Sequence, residues 1–465
     1  MALKFYNTLS KQIEVFEPIQ ADHVGVYTCG PTVYDYIHIG NWRTYTLSDL
    51  VVRALAYNGY NVEYYMNITD VGHLTGDNSG DADTGEDRME KAKRREGKNA
   101  YEIAKFYADN FKEGYKTLNL TQPKSFLYAT EHIPEQIDLV HDLINKGLAY
   151  QISDGIYFDT EAYEKEGFHY GELSNLDQIK AGARVDFNPE KRNMRDFALW
   201  KFSLSGEKRD MEWQSPWGVG FPGWHIECSA MSMKYLGNQF DIHMGGEDLK
   251  STHHPNEIAQ SQGATNQNPF VKYWIHGAFL QVEGGRMGKS LGNAYTLMDI
   301  TNKGINPLAL RYFYMLGHYS VQLNFSWEAL TGADNALKHI YEHFTGLGNE
   351  IGTIDTEYKN KFMERINDNL DTPNALAVVW ELLKDKDISN ADKKATLLAF
   401  DTMLGFGLAS ITEEIIPEEI IQLVKERTIA RDLKNWEYSD KLRKEIEDKG
   451  YKIKDTDTET ITRKI

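Results

Sequence analysis

The sequence predicts an α/β protein with a parallel sheet, and two observations support that prediction. A strand-like run over 24–28 is followed by an amphipathic helix over 41–57 and a second strand-like run over 61–68. Strand, helix and strand in this order favour a right-handed parallel crossover, with ligands at the carboxyl ends of the strands. After about residue 307 the pattern becomes helical. We therefore predict a Rossmann-like domain followed by a helical bundle.

The rest of the first 120 residues adds a loop and a helix. Residues 76–86 are rich in Gly, Asp, Ser and Thr and predict a surface loop. Residues 89–118 predict one long charged helix with a basic cluster. The favoured interpretation of that cluster is a solvated helix face, and the alternative is a contact with a nucleic-acid backbone. The cluster consists of Lys91, Lys93, Arg94 and Arg95.

An inserted subdomain is predicted over 121–210. A helix over 134–146 precedes two short strands, at 147–150 and 155–159, and a polar, irregular stretch runs on to Asp196. The parallel-sheet pattern then resumes over 211–306. Its elements are strands at 240–244 and 270–276 and a helix at 255–262.

The last third of the chain is predicted to be mainly helical. Residues 307–325 form a connecting stem region, and 326–410 a helical bundle in which Ser326 is a good N-cap. The helical runs of this bundle cover 327–344, 359–384 and 391–404. A small C-terminal α/β domain over 411–465 contains a charged helix at 439–449 and a strand at 451–454.

Composition limits the functional classes. A chain of 465 residues is expected to form about three domains. Its formal charge of −18 means that any nucleic-acid contact must come from local basic patches. The sequence has neither a signal-peptide pattern nor a run of about 18 apolar residues, so we expect a cytoplasmic protein without a membrane span. Two cysteines are too few for a disulfide scaffold and fit a reducing compartment.

The two cysteines are candidate metal ligands. Cys29 follows the first strand, and Cys228 lies 25 residues before a His-His-Pro-Asn-Glu segment. His253 and Glu257 are four apart at a helix start, so their side chains can point the same way. Two thiolates, an imidazole and a carboxylate form a donor set that zinc accepts. His254 is an equally near alternative, and a buried, inert cysteine is the more common role for an isolated thiol.

A glycine-rich basic loop over 283–293 is a second candidate. Its glycines make Arg286 and Lys289 mobile enough to reach a triphosphate and offset the charge that builds as pyrophosphate leaves. The spacing of a Walker P-loop is absent. An ordinary surface hairpin is the alternative interpretation of this segment taken alone.

Five blocks together resemble one family. His-Ile-Gly-Asn at 38–41 is similar to the His-Ile-Gly-His signature of class I aminoacyl-tRNA synthetases, and Arg-Met-Gly-Lys-Ser at 286–290 is similar to their Lys-Met-Ser-Lys-Ser signature. The blocks at 29–35, 223–229 and 253–260 resemble those of the cysteinyl-tRNA synthetases. The resemblance extends over essentially the whole chain.

The resemblance implies ATP-dependent aminoacylation of tRNA(Cys) with L-cysteine through cysteinyl-adenylate. It implies one zinc ion per chain, ATP with Mg²⁺, a monomer, and tRNA bound by the bundle and by the C-terminal domain, which would read the anticodon. The implied zinc ligands are Cys29, Cys228, His253 and Glu257, and the implied cysteine-binding residues are Trp224 and Asp248. The implied ATP-binding residues are His38, Gly40, Asn41, Arg286, Met287, Lys289 and Ser290, of which His38, Asn41 and Lys289 are catalytic.

Departures from the family pattern affect the nucleotide site and the C-terminus. Asn41 keeps a hydrogen-bond donor but carries no positive charge, while Arg286 and Gly288 replace Lys and Ser. The tryptophan common near the family's C-terminus is absent from 458–465. Two alternative functions remain: a ligase that joins cysteine to an amino sugar through the same adenylate, and a catalytically silent zinc-containing RNA-binding protein. The helical bundle and basic terminal segment favour tRNA over the first, and the intact His38, Lys289 and ligand positions disfavour the second.

Overall fold

The computed structural model describes residues 2–72, 74–75, 86–174, 188–203, 209–288, 291–411, 417–455 and 460–464. The chain divides into two compact units, Met1–Leu408 and Ala409–Ile465. The predicted loop at 76–86 lies outside the described residues except for Glu86. Each unit is described by itself.

Strands and helices alternate through most of the first unit, and the described part of the second unit contains two helices and a hairpin. The strands are β1 (Lys4–Asn7), β2 (Gln12–Val15), β3 (His23–Thr28), β4 (Asn61–Ile68), β5 (Leu74–Thr75), β6 (Glu86–Asp87), β7 (Ser125–Tyr128), β8 (Ala149–Ile152), β9 (Gly155–Phe158), β10 (Phe197–Phe202), β11 (Trp213–Ser215), β12 (Gly218–Pro222), β13 (Phe240–Gly246), β14 (Val271–Gly277), β15 (Leu280–Val282), β16 (Gly285–Arg286), β17 (Leu323–Phe325), β18 (Tyr451–Asp455) and β19 (Thr460–Lys464). The helices are α1 (Ile39–Tyr57), α2 (Arg88–Glu96), α3 (Ala100–Thr117), α4 (Ile133–Asn145), α5 (Thr160–Lys165), α6 (Trp224–Leu236), α7 (His253–Thr265), α8 (Leu297–Asn302), α9 (Pro307–Met315), α10 (Trp327–Gly346), α11 (Thr356–Asn367), α12 (Thr372–Lys384), α13 (Asn390–Leu404), α14 (Glu418–Asp432) and α15 (Trp436–Asp448).

A parallel sheet forms the centre of the first unit, in the strand order β14-β13-β3-β4-β7. The predicted parallel α/β fold is therefore confirmed. The central strands are largely buried, as expected when helices cover both faces of a sheet. Thr28 lies opposite Met66 on one side and Met244 on the other. The carboxyl ends of β3, β4 and β13 consequently meet at one edge, and Cys29 follows directly.

Helix α1 begins at this edge. His38 is its N-cap, and the ring Nδ1 accepts a hydrogen bond from the Asn41 backbone N–H at 3.3 Å. Trp42, one turn into the helix, stacks on Phe111 of α3 with ring centroids 5.3 Å apart. Gly114 of α3 lies against the same indole. A Cβ at this position would be only 2.5 Å from Trp42 Cζ2, so there is no room for a side chain. The start of α1 is therefore held by close packing against α3.

We expect Gly114→Ala to lower the free energy of unfolding by about 1–3 kcal/mol, because the added methyl overlaps the buried indole. Gly332 of α10 is the matched control, since a Cβ there meets nothing within 4 Å. Gly332→Ala should stabilise by about 0.5–1 kcal/mol, the ordinary gain from replacing a glycine inside a helix. Urea denaturation of both variants measures the difference, and equal stabilisation of both would contradict the close packing at Gly114.

An antiparallel sheet is inserted between the two halves of the parallel one, in the order β11-β12-β10-β9-β8. It buries aromatic side chains that include Phe158, Phe197 and Trp200 against α4 and α6. The polar stretch that was expected to be irregular contains α5, which Asp159 caps by accepting from the Ala162 N–H at 2.8 Å. The domain boundaries drawn from the sequence stay predictions.

The single helix predicted over 89–118 is wrong, because the chain forms two helices there. Gly97 ends α2 in a left-handed conformation with φ 67°. Asn99 then starts α3 through a capping box with Glu102. Within the basic cluster, Lys93 pairs with Asp210 at 2.8 Å and Arg95 with Glu96 at 2.8 Å. These intramolecular pairs agree with the interpretation of a solvated helix face.

The helices after residue 326 follow the predicted periodicity. Ser326 caps α10 by accepting from the Ala329 N–H at 3.1 Å, as predicted. The run predicted over 359–384 comprises α11 and α12, which are separated by Asn369 and Leu370 with positive φ. In the second unit, α14 and α15 pack with the hairpin of β18 and β19, and the core there consists of Ile420, Ile446, Tyr451 and Ile453.

Candidate active site

Four predicted ligands meet at the carboxyl edge of the parallel sheet. Cys29 follows β3, Cys228 lies on α6, and His253 and Glu257 lie one turn apart on α7. The two Sγ atoms are 3.7 Å apart, and Cys29 Sγ is 3.5 Å from Glu257 Oε1. His253 Nε2 is 3.0 Å from the same carboxylate oxygen. All four side chains are buried, and their ligand atoms lie within 4.8 Å of one another.

These separations fit a tetrahedral zinc site. With zinc–sulfur bonds of about 2.3 Å and zinc–nitrogen or zinc–oxygen bonds of about 2.0–2.1 Å, tetrahedral angles require edges of about 3.8 Å between sulfurs. They also require about 3.5 Å between sulfur and oxygen and about 3.3 Å between nitrogen and oxygen. The separations of 3.7, 3.5 and 3.0 Å agree to within a few tenths of an ångström. Both the donor atoms and their spacing therefore suit zinc.

Burial and mutual charge control protonation in the metal-free site. Burial raises the pKa of the Cys29 thiol well above its usual value, and Cys228 and Glu257 raise it further. Burial lowers the pKa of His253, but the Glu257 carboxylate outweighs this and raises it to about 10. Burial raises the pKa of Glu257, but His243 and His253 outweigh that effect and lower it to about 2. A protonated His253 therefore faces an ionised Glu257 until a metal ion replaces the proton.

His254 occupies a different position in the cluster. Its Nε2 is 3.4 Å from Cys29 Sγ and 3.9 Å from Glu257 Oε1, and its Nδ1 is 2.7 Å from His276 Nε2. Burial and the neighbouring imidazoles lower the pKa of His254 well below its usual value, so it is neutral. A second donor set of Cys29, His243, His254 and Glu257 shares two members with the first. Only the set with His253 contains both cysteines.

Sequence reasoning missed the side chains that surround these ligands. His243 Nε2 lies 2.9 Å from Glu257 Oε2, and His225 Nδ1 lies 2.9 Å from His253 Nδ1. Tyr27 is opposite His243 in the sheet register, and its buried hydroxyl has no hydrogen-bond partner in the described part of the chain. The available signal was the two-residue period of β3, which places Tyr27 and Cys29 on one face.

The predicted nucleotide residues lie at the start of α1 and beside it. A Cβ on Gly40 would be 3.1 Å from the His38 ring and 3.4 Å from Met287 Sδ, so the two signature segments touch. The Gly288 N–H donates to Asn293 Oδ1 at 2.8 Å and closes the base of the loop. Asn41 is exposed. Of Arg286 the backbone is described, in β16, while Lys289 and Ser290 lie outside the described residues.

The two predicted cysteine-binding residues come from different elements. Trp224 begins α6, and its ring is 4.4 Å from that of His253 between centroids. Asp248 is exposed in the short 3₁₀ turn Glu247–Lys250, which leads from β13 towards α7. The indole is therefore beside the donor cluster, and the Asp248 carboxylate belongs to the segment that enters the ligand helix.

Comparison with known proteins identifies first the class and then the family. The profile described as the class I (C) tRNA synthetase catalytic domain matches residues 15–335. The methionyl-tRNA synthetase of Mycobacterium tuberculosis, solved in complex with methionyl-adenylate, has a similar fold, with a TM-score of 0.58 at 15% identity over 83% of this chain and 92% of that one. The fold is thus that of a class I aminoacyl-tRNA synthetase.

Sequence similarity over the full length narrows the assignment. A cysteine–tRNA ligase of Burkholderia lata is 44% identical over 461 residues, covering 98% of this chain and 96% of the relative. A cysteine–tRNA ligase of Treponema denticola is 41% identical over 501 residues, covering all of both chains. The chain belongs to the cysteine–tRNA ligase family, as the motifs indicated. Within the described residues, no helix combines the length and apolar composition of a membrane span.

Proposed function

We propose that this enzyme joins L-cysteine to tRNA(Cys) in an ATP-dependent reaction that passes through cysteinyl-adenylate. One observation carries the proposal: a buried donor set with the spacing of a zinc site lies at the carboxyl edge of the sheet, beside the signature that starts α1. Cys29 precedes His38 by nine positions. A cysteine bound at one end of this segment can therefore present its carboxylate to a nucleotide at the other.

Cys29, Cys228, His253 and Glu257 are the residues that would hold the zinc ion. Zinc supplies a soft Lewis acid that prefers a thiolate to a hydroxyl. A pocket that depends on packing distinguishes near-isosteric substrates by only about 10 to 200-fold, so serine would be a serious competitor without a metal. We propose that Trp224 closes over the bound amino acid and that Asp248 receives its ammonium group.

The adenylation step depends on positioning and charge. We propose that His38, Gly40 and Asn41 bind ATP from the start of α1, where N–H groups favour phosphate. We propose that Arg286, Met287, Lys289 and Ser290 also bind ATP, with Mg²⁺ on the phosphates. The cysteine carboxylate attacks the α-phosphate and pyrophosphate leaves. The terminal ribose hydroxyl of the tRNA then takes the cysteinyl group and releases AMP.

The same proposal assigns tRNA binding to the helical bundle and the C-terminal unit. Basic residues on and between the last two helices supply local positive charge in an acidic chain. The proposed enzyme is monomeric and works in the cytoplasm, where a reducing environment keeps both thiols available for metal. The sequence offers Lys425, Arg427, Arg431, Lys434, Arg443 and Lys444 for this role; of these, Arg427 is buried and Lys434 lies between the two helices.

Charging of tRNA(Cys) with radiolabelled cysteine tests the function directly. We expect acid-precipitable counts that require ATP, and parallel reactions with labelled serine should remain at background. Pyrophosphate exchange that depends on cysteine, without charging of any cysteine tRNA, would favour the amino-sugar ligase. Absence of both reactions in zinc-loaded protein would rule out the proposed function and leave the RNA-binding alternative.

A further inference from the structure

Arg43 is a buried cation that the proposed chemistry leaves unused. It lies one turn beyond the His38–Asn41 signature on α1 and is 5% exposed. Its Nη1 donates to the carbonyl oxygens of Ala278 and Phe279, each at 2.8 Å. Its Nη2 donates to those of His318 at 3.2 Å and Val321 at 2.6 Å. One guanidinium thus binds two pairs of backbone carbonyls.

The four carbonyls belong to the connections that lead into the small sheet of β15, β16 and β17. Ala278 and Phe279 connect β14 to β15, and β15 pairs with β16 to form the hairpin that leads into the loop. The segment with His318 and Val321 connects α9 to β17, which pairs with β15 in parallel. Arg43 therefore joins α1 to both connections that enter this three-stranded sheet.

Other bonds tie the start of α1 to the same region. The Ile39 N–H donates to the Tyr295 carbonyl at 2.8 Å, just after the loop. The buried Tyr314 hydroxyl of α9 donates to the Ile39 carbonyl at 2.5 Å. His38 and Thr296 form an isolated β-bridge. The N-terminal turn of α1 is therefore fixed relative to the strands before the loop and the segment after it.

We propose that Arg43 is a positioning residue. Its bonds to the four carbonyls, which we call the clamp, hold the His38–Asn41 segment at a fixed separation from β15 and β16, so that one ATP molecule can contact both segments. The inference rests on the proposed function, because it assumes that ATP lies between these segments. Two halves of a binding site must be held within a fraction of an ångström to act on one ligand. The clamp acts on nucleotide binding and leaves the four metal ligands untouched.

Lysine cannot replace this arginine. Its ammonium group is a single point with three donors, whereas the guanidinium presents two separate nitrogens in a fixed plane. Burial lowers the pKa of Arg43 to about 10, so the group stays charged near neutral pH. An ammonium at this position would retain the charge but satisfy one pair of carbonyls at most. The substitution therefore tests geometry at constant charge.

The experiment compares Arg43→Lys with Arg53→Lys in the full-length, zinc-loaded enzyme. Arg53 is the matched control: it lies on the same helix and binds the carbonyls of Thr402 and Asn119, away from the loop strands. We expect Arg43→Lys to raise the KM for ATP in pyrophosphate exchange by about tenfold or more, because a small misplacement of the two halves of a site has effects of this size. The KM for cysteine and the zinc content should change less than about twofold. Calorimetric titration with ATP provides a readout that is independent of turnover.

The outcomes separate the clamp from the proposed function. A wild-type enzyme that neither exchanges pyrophosphate nor binds ATP would refute the function itself. An active wild type with equal ATP affinities for Arg43→Lys and Arg53→Lys would overturn the clamp. If Arg43→Lys does not fold, Tyr314→Phe carries the test, because it removes only the hydroxyl that holds Ile39. An unchanged ATP affinity in Tyr314→Phe would then count against the proposal.

Discussion

His253→Asn is expected to abolish stoichiometric zinc binding, whereas His254→Asn should leave about one zinc ion per chain. The two histidines are adjacent on α7 and equally buried, so they form a matched pair. Only His253 belongs to the donor set that contains both cysteines. Loss of a ligand should lower zinc affinity by more than the roughly 10 to 100-fold that loss of an outer contact costs. His254, which contacts Cys29 from outside the ligand set, should show that smaller effect.

Metal analysis after dialysis against a chelator measures the first effect. Pyrophosphate-exchange assays with cysteine and with serine measure the effect on substrate selection. We expect the rate of cysteine activation by His253→Asn to fall steeply. The preference of this variant for cysteine over serine should drop into the range of about 10 to 200-fold. Zinc retained by His253→Asn and lost by His254→Asn would assign the metal to the alternative donor set. Full activity without zinc in either variant would remove the metal from the mechanism.

The same site predicts that zinc affinity rises with pH. Burial raises the pKa of Cys29, and the Glu257 carboxylate raises that of His253 to about 10, so both groups hold protons near pH 7 in the metal-free protein. Zinc binds thiolate and neutral imidazole, and binding must therefore release protons. Titration in two buffers of different ionisation enthalpy would show the release as a buffer-dependent heat.

Arg311→Met is expected to lower the free energy of unfolding of the first unit by about 3–5 kcal/mol, because it leaves a buried carboxylate without its main partner. Arg311 Nη2 and Asp49 Oδ2 are 2.5 Å apart, and neither side chain has any exposed surface. Asp49 also accepts from the Thr121 N–H at 2.6 Å and pairs with Arg53 at 2.9 Å. These remaining contacts cannot replace a fully desolvated guanidinium.

The double variant Asp49→Asn with Arg311→Met is the control. Removing the carboxylate charge together with the arginine should recover much of the loss, since an uncharged pair no longer leaves a buried ion uncompensated. Urea denaturation followed by tryptophan fluorescence measures the wild type, Arg311→Met and the double variant. A double variant as unstable as Arg311→Met would mean that lost packing, rather than the unpaired charge, causes the destabilisation.

The Asp49–Arg311 ion pair also makes the folding stability depend on pH. Burial raises the pKa of Asp49, but Arg311 and Arg53 outweigh this effect and hold it below its usual value. A group whose pKa is lower in the folded state stabilises the fold above its unfolded pKa and loses that contribution as the pH falls. The difference in stability between wild type and Arg311→Met should therefore shrink below about pH 4.

The fold was predictable where local signals agree with the global arrangement. The buried apolar runs of β3 and β4 around α1 gave the parallel crossover, and the hydroxyl of Ser326 marked the start of α10. The break at Gly97 was also readable, because a glycine followed by Asn99 and Glu102 is a stop signal and a capping box. Helical periodicity alone does not reveal this break, because the same charged pattern continues before and after Gly97.

The site was less accessible to sequence reasoning. Spacing left His253 and His254 open, because successive helical residues point about 100° apart and the direction of the core is a tertiary property. The packing of α7 turns His254 towards His276 of β14, which no local pattern specifies. His243 and Tyr27 come from strands whose register is set only when the sheet forms, and His225 comes from α6. The proposed roles of the site residues stay predictions.

The bonds that reach α1 from α9 have a consequence for how this enzyme can be divided. Arg311 and Tyr314 both follow residue 306, the end of the sheet domain drawn from the sequence. A fragment that stops there would keep the His38–Asn41 segment but remove Arg311, the buried partner of Asp49, and the hydroxyl that binds the Ile39 carbonyl. We therefore expect that residues 1–306 do not form a stable fragment without α9. Any minimal version, natural or engineered, must either retain α9 or carry an uncharged residue at position 49.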